Sequence, residues 1–141
     1  MALETEEIDG GAVPHRVIKI TGDVACLFTS LSYLVHGTAS LTFRVRTDIV
    51  RHVSNNWRRF KPYTLTTNQV PYSSKKYVTD MSKPYFYGTF CELMVAAEVF
   101  PYKFELFCDG KLLACYGEEV EGVTRLKFSA ENKNLCIKLR C

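Results

Sequence analysis

Between Leu41 and Phe60 apolar residues recur every three or four positions: Leu41, Val45, Ile49, Val53, Trp57 and Phe60. That spacing predicts an amphipathic α-helix of about five turns, and Pro62 ends it. A helix with one apolar stripe must bury it against another layer, and the last third of the chain supplies one. Phe104–Phe107, a turn at Asp109-Gly110, Leu112–Tyr116, Thr124–Phe128 and Leu135–Leu139 all read as strands. In the last of these Leu135, Ile137 and Leu139 share one face, and Cys136 and Lys138 share the other. Helices come first and a sheet later, with one early strand at Val17–Ile20, so the expected class is α+β.

The other faces of the long helix carry Arg44, Arg46, Arg51, Arg58, Arg59 and Lys61 against the single acid Asp48, which reads as a solvated basic surface. Thr89-Phe90-Cys91-Glu92 has the pattern of a capping box, opening a helix to about Val99 that packs Leu93, Ala96, Ala97 and Phe100 before Pro101 closes it. Residues 62 to 87 are rich in Tyr, Thr, Ser, Lys and Pro and read as a surface segment with one short helix near Val78–Met81. Residues 1 to 12 are acidic, with a Gly-Gly pair, and read as a flexible tail before a single domain over 13–141.

The length of 141 residues suits one domain with a real core. The net charge of +3 is too small to argue for nucleic acid as a partner. No apolar run approaches the ~20 residues that span a bilayer, and the acidic start is unlike a secretory signal, so an intracellular (cytoplasmic or nuclear) setting without membrane contact is expected. The six cysteines form no CxxC pair and have no zinc spacing with histidine, so neither a metal nor a cofactor is expected. Apart from Cys26, they read as reduced, small apolar side chains.

Cys26 differs. Gly22-Asp23-Val24-Ala25-Cys26-Leu27-Phe28 runs a turn straight into a cysteine that opens an apolar helix, with Leu27, Leu31 and Leu34 on one face and Gly37 as its stop. A helix N-terminus lowers a thiol pKa, and turn amides can hold an oxyanion. This segment resembles the Asp-Gly-x-Cys-Leu-Phe signature of the OTU (ovarian tumour) family of cysteine proteases, most of which are deubiquitinases. Leu41 to Val53 is similar to that family's second-helix pattern. Met81 to Leu93, with Tyr87-Gly88-Thr89 followed by Glu92-Leu93, resembles its middle motif of an aromatic, a glycine, a small residue and then Glu-Leu opening a helix.

The resemblance implies an OTU-like, papain-like cysteine-protease fold, with a small β-sheet packed between helices. It implies Cys26 as the nucleophile, Asp23 as the residue shaping the oxyanion turn, and the backbone around Val24 and Ala25 as the oxyanion donors. It also implies ubiquitin, or another protein, as the partner. Three positions depart from the family. Val24 stands where a glycine is usual. The final strand places Cys136 at the histidine and Lys138 at the acid, and a neutral thiol with a pKa of about 8.5 is a poor general base.

The other histidines offer little. His36 is ten residues beyond Cys26, about 15 Å along a helix. His52 reads as a surface residue, and His15 would have to fold back from before the first strand. Two functions follow: a catalytically impaired OTU-type pseudoenzyme that binds ubiquitin or another protein, which the chemistry favours, and an active OTU deubiquitinase using Cys26 with a non-standard base. An RNA-interaction module, using the basic helix and the tyrosine-rich segment, is a distant third reading that a steep salt dependence would have to revive.

Overall fold

A computed structural model of the chain describes residues 3–8, 11–20, 26–64, 66, 70–108, 111–128 and 136–140, with side chains for 27–64, 66, 70–108 and 111–126. The described strands are β1 (Leu3–Ile8), β2 (Gly11–Ile20), β3 (Lys103–Cys108), β4 (Lys111–Tyr116), β5 (Val123–Phe128) and β6 (Cys136–Arg140). They form one sheet in the order β1-β2-β6-β5-β3-β4. β3 and β5 run parallel, and every other neighbouring pair is antiparallel. The helices are α1 (Cys26–His36), α2 (Thr42–Asn55), the single turn α3 (Trp57–Phe60), α4 (Ser74–Met81) and α5 (Phe90–Val99). The expected α+β class is what the chain adopts.

α1 lies against β2, β6 and α2, and α5 lies against α2, β3 and β4. The core between these layers holds Phe28 and Leu31 of α1, Val45, Ile49 and Val53 of α2, Leu93 and Ala96 of α5, Phe104 of β3 and Leu126 of β5. Each large apolar side chain buried this way contributes roughly 1.5–3 kcal/mol. Gly37 ends α1 as expected. Its φ of 74° is the left-handed value favoured by glycine, and its N–H donates to the Tyr33 carbonyl at 2.9 Å.

Three expectations are corrected. Leu3–Ile8, read as part of a flexible tail, form β1 and pair with β2 from Leu3↔Arg16 to Ile8↔Gly11. The signal passed over was Asp9-Gly10, the two residues between the paired strands, since Asp-Gly is a favoured hairpin dipeptide. The long helix is also interrupted. Asn56, at φ −126° and ψ 39°, separates α2 from α3, and its side-chain amide donates to the His52 carbonyl at 2.9 Å. Short amide side chains compete with the helix for backbone partners in this way. The third correction is Arg46, which is not on the solvated face but is 1% exposed.

Candidate functional site

The expected catalytic positions fall at the start of α1 and on β6, and the backbone shows how those elements meet. α1 opens on Cys26 and β6 opens on Cys136. Cys136 pairs with Ile20, the last residue of β2, and with Phe128, the last residue of β5. It therefore sits at the end of the sheet from which the chain leaves β2 for α1, and α1 packs on β6. Lys138, two residues on, pairs with Ile18 and Leu126, and the strand period puts it on the same face as Cys136. The turn residues Asp23, Val24 and Ala25 lie outside the described residues, as do the side chains of Cys26, Cys136 and Lys138.

The three histidines occupy other places. His36 is the last residue of α1, with its ring edge-on to Phe100 at 5.9 Å. His52, on α2, contacts Glu98 at 3.1 Å, and Arg59 binds both oxygens of that carboxylate at 2.7 Å. His15 is opposite Glu4, five residues along β2 from Ile20, about 16 Å at the rise of a strand.

Beside the first turn of α1 runs the segment from Met81 to Glu92, which three sets of contacts hold. Gly88 is the first point of contact: a Cβ there would overlap the end of the Leu27 side chain and stand 3.2 Å from Leu27 Cβ. Only a residue without a side chain lets this loop approach the residue after Cys26 so closely.

Arg46 is the second. Its Nη1 donates to the Met81 carbonyl at 2.9 Å and its Nη2 to the Phe86 carbonyl at 3.0 Å, while the guanidinium carbon lies 4.0 Å from the centre of the Phe28 ring. Burial pulls the Arg46 pKa down, and the nearby Glu92 and Tyr77 oppose that shift.

The third is Glu92, 1% exposed. Its Oε1 accepts from the Thr89 N–H and the Thr89 hydroxyl, both at 2.7 Å, and its Oε2 accepts from the Tyr77 hydroxyl at 2.8 Å. The predicted capping box is present and α5 starts at Phe90 as expected. Burial, with the negative charge of Glu92 beside it, raises the Tyr77 pKa well above the ordinary phenol value, so this hydroxyl stays a donor. Burial first, and then Glu92, push the Cys91 thiol far above its ordinary value. Cys91 is therefore a protonated, inert thiol rather than a second nucleophile.

The expectation of buried cysteines is met at Cys91 and not at Cys115, which is exposed on β4. Among the described residues no cluster of His, Cys, Asp and Glu could hold a metal ion, and no helix is long and apolar enough to cross a membrane.

Sequence reasoning missed Arg46 and Tyr77. The available signal for Arg46 was Val50, which is also buried. Val50 and Ile49 widen the apolar face so that Arg46, three and four residues earlier, falls within it.

Strand order, helix placement and the loop seated on α1 can be compared with solved structures. The OTU domain of OTUD1 superposes with a TM-score of 0.72 over 87% of this chain and 85% of its own, at 14% identity. The viral OTU domain protease of Dera Ghazi Khan virus matches with a TM-score of 0.69 over 89% of this chain and 80% of its own, at 20% identity. This chain has the OTU fold. The Hazara virus OTU bound to ubiquitin also matches, with a TM-score of 0.64 over 89% of this chain and 80% of that one, at 13% identity. No family model matches the sequence, and no curated protein matches it at a significant level. At these identities the likeness establishes the OTU fold, and the chemistry of the chain must be argued from its own residues.

Proposed function

We propose that this chain is an OTU-fold domain that binds ubiquitin, or another protein, and hydrolyses isopeptide bonds weakly or not at all. The observation that carries the reading is which elements hold the histidines relative to the end of the sheet at Ile20 and Cys136. His36 is at the far end of α1, His52 is engaged with Glu98, and His15 is displaced along β2. Along the backbone His36 is about 15 Å from the start of α1, where the resemblance puts the nucleophile Cys26, and His15 is about 16 Å from the end of β2. On this reading a thiolate there would lack an imidazole to take and return a proton. Cys136 offers a weakly basic thiol in that role, and Lys138 adds a positive charge where an imidazolium would need a negative one. Ubiquitin as partner rests on the OTU fold and on the Hazara virus OTU, which was solved with ubiquitin bound.

Turnover of a fluorogenic ubiquitin substrate, with Cys26→Ala as the blank, tests the catalytic half. Titration of isotope-labelled ubiquitin with the unmodified chain tests the binding half. The expected result is saturable ubiquitin binding with turnover indistinguishable from the blank. Robust turnover that vanishes in Cys26→Ala would establish instead an active deubiquitinase with a non-standard base.

A further inference from the structure

The segment from Met81 to Glu92 also borders a cleft. This cleft, of ≈ 710 Å³, opens between the 3₁₀ turn Lys61–Tyr63, α4 and the segment leading into α5. Tyr63, Tyr85, Tyr87 and Phe90 line it and are exposed by 60%, 60%, 49% and 51%. Aromatic side chains usually bury most of their large surface, and a contiguous exposed set marks a recognition surface.

The charge of the chain is concentrated on the same elements. Residues 57 to 92 contain six basic residues and two acids, whereas the rest of the chain has twelve basic residues and thirteen acids. The modest net charge of the whole chain conceals this partition. The carboxylates near the cleft are masked. Asp80 is 5% exposed and bonded to Lys76 and Lys83, and Glu92 is saturated by Thr89 and Tyr77. Lys83 Nζ stands 5.9 Å from the Tyr85 ring centre and 5.8 Å from that of Phe86. Arg58, Lys61 and Lys75 are exposed and form no ion pair with any described residue.

We propose that this cleft binds single-stranded RNA. Splayed bases stack on aromatic faces while lysines track the phosphates, and that pairing of features is how single strands are held without duplex geometry. An acidic peptide would satisfy the lysines but offer nothing planar to stack on the exposed rings of Tyr63, Tyr85 and Phe90. The hydroxyls of Thr66, Tyr63 and Tyr85 in the same wall can meet the ribose 2′-hydroxyl, which favours RNA over DNA.

Fluorescence anisotropy of a labelled eight-nucleotide oligo(U), titrated with the full chain over a range of salt concentrations, tests the proposal. Affinity is expected to fall with salt on a log–log line. Lys61→Ser and Lys83→Ser should each reduce its slope by about 0.7. Tyr63→Ala and Tyr85→Ala should each weaken binding by about fivefold or more, while Tyr85→Phe, which keeps a stacking face, binds like the parent. The proposal is overturned if oligo(U) fails to bind at low salt, or if the tyrosine-to-alanine variants bind unchanged. Equal competition by polyglutamate would assign the cleft to acidic peptides, and equal competition by oligo(dT) would refute the preference for RNA. None of these readouts depends on ubiquitin binding or on Cys26.

Discussion

The guanidinium carbon of Arg46 lies 4.0 Å from the centre of the Phe28 ring, so a charge on α2 rests on an aromatic two residues after Cys26. The same guanidinium donates to the carbonyls of Met81 and Phe86. One side chain thus joins the first turn of the α1 helix, the middle of α2 and the loop that approaches α1 at Gly88. Arginine suits the position because its planar fork reaches separated acceptors while its face stacks on a ring.

Arg46→Ala is expected to destabilise the fold by about 3–5 kcal/mol, because it leaves the buried Met81 carbonyl and the partly buried Phe86 carbonyl without this donor and Glu92 without a neighbouring positive charge. Arg46→Lys should recover only part of that loss, since one ammonium cannot span both carbonyls while covering Phe28. Urea unfolding of the two variants measures the difference. A loss below about 1 kcal/mol in Arg46→Ala would show that the loop is held by other means.

Gly88→Ala places a methyl group against the Leu27 side chain. Overpacking of this kind costs about 1–3 kcal/mol. Leu27→Ala in the same chain should relieve much of it, giving a coupling of the two substitutions in a double-mutant cycle. Additive effects would mean that the loop moves aside freely.

Glu98 accepts from Arg59 and contacts His52, and the bond from Arg59 is the main cause of its lowered pKa, aided by His52 and opposed by partial burial. A carboxylate whose folded value lies below its unfolded value adds stability above the ordinary glutamate range. That stability is lost as pH falls through the lowered folded value. The difference in Tm between the parent and Glu98→Gln should therefore be present near neutral pH and shrink toward zero below about pH 4. The effect is small, because the group is partly exposed and salt screens it. A difference that grows on acidification would contradict the assignment.

Restoring catalysis is expected to need several changes at once. Cys136→His alone supplies a base yet leaves Val24 in the turn and Lys138 beside the imidazole. Val24→Gly, Cys136→His and Lys138→Asp together should raise Cys26-dependent hydrolysis of ubiquitin substrates by about 10²-fold or more, well beyond the combined single effects. A ubiquitin C-terminal electrophile should also label Cys26 faster in the triple variant, because a neighbouring imidazolium lowers the thiol pKa. A folded triple variant as inert as the parent would remove the premise that this turn is an oxyanion site.

Much of the architecture was legible because local chemistry and tertiary need agree. Thr89 and Glu92 satisfy helix-end donors wherever such a pair occurs, and Gly37 is a stop by its backbone freedom alone. Arg46 was illegible for the opposite reason: charge predicts solvent, and only the loop carbonyls of Met81 and Phe86, far along the chain, make its burial favourable. The strand at Leu3–Ile8 was hidden by its acidic composition, which describes side chains and not the backbone pairing that β2 offers. At the candidate site the sequence gives residue types and strand parity. The reactivity of Cys26 depends on which groups approach it in space, and residue types along the chain do not fix that.

The pairing of β2 with β6 has a consequence for how the molecule comes into being. Ile20 finds its partner at Cys136, more than a hundred residues later in the chain. The loop closed by that contact is long, and topologies dominated by such separations form slowly. As the chain leaves the ribosome, α1 and α2 can pair early, since they are neighbours in sequence, but the strand end beside Cys26 waits for the final strand to be made. Until then the β2 edge, from Arg16 to Ile20, is an open template for any extended segment nearby. Maturation of the Cys26 end of this domain is thus timed by the arrival of Cys136.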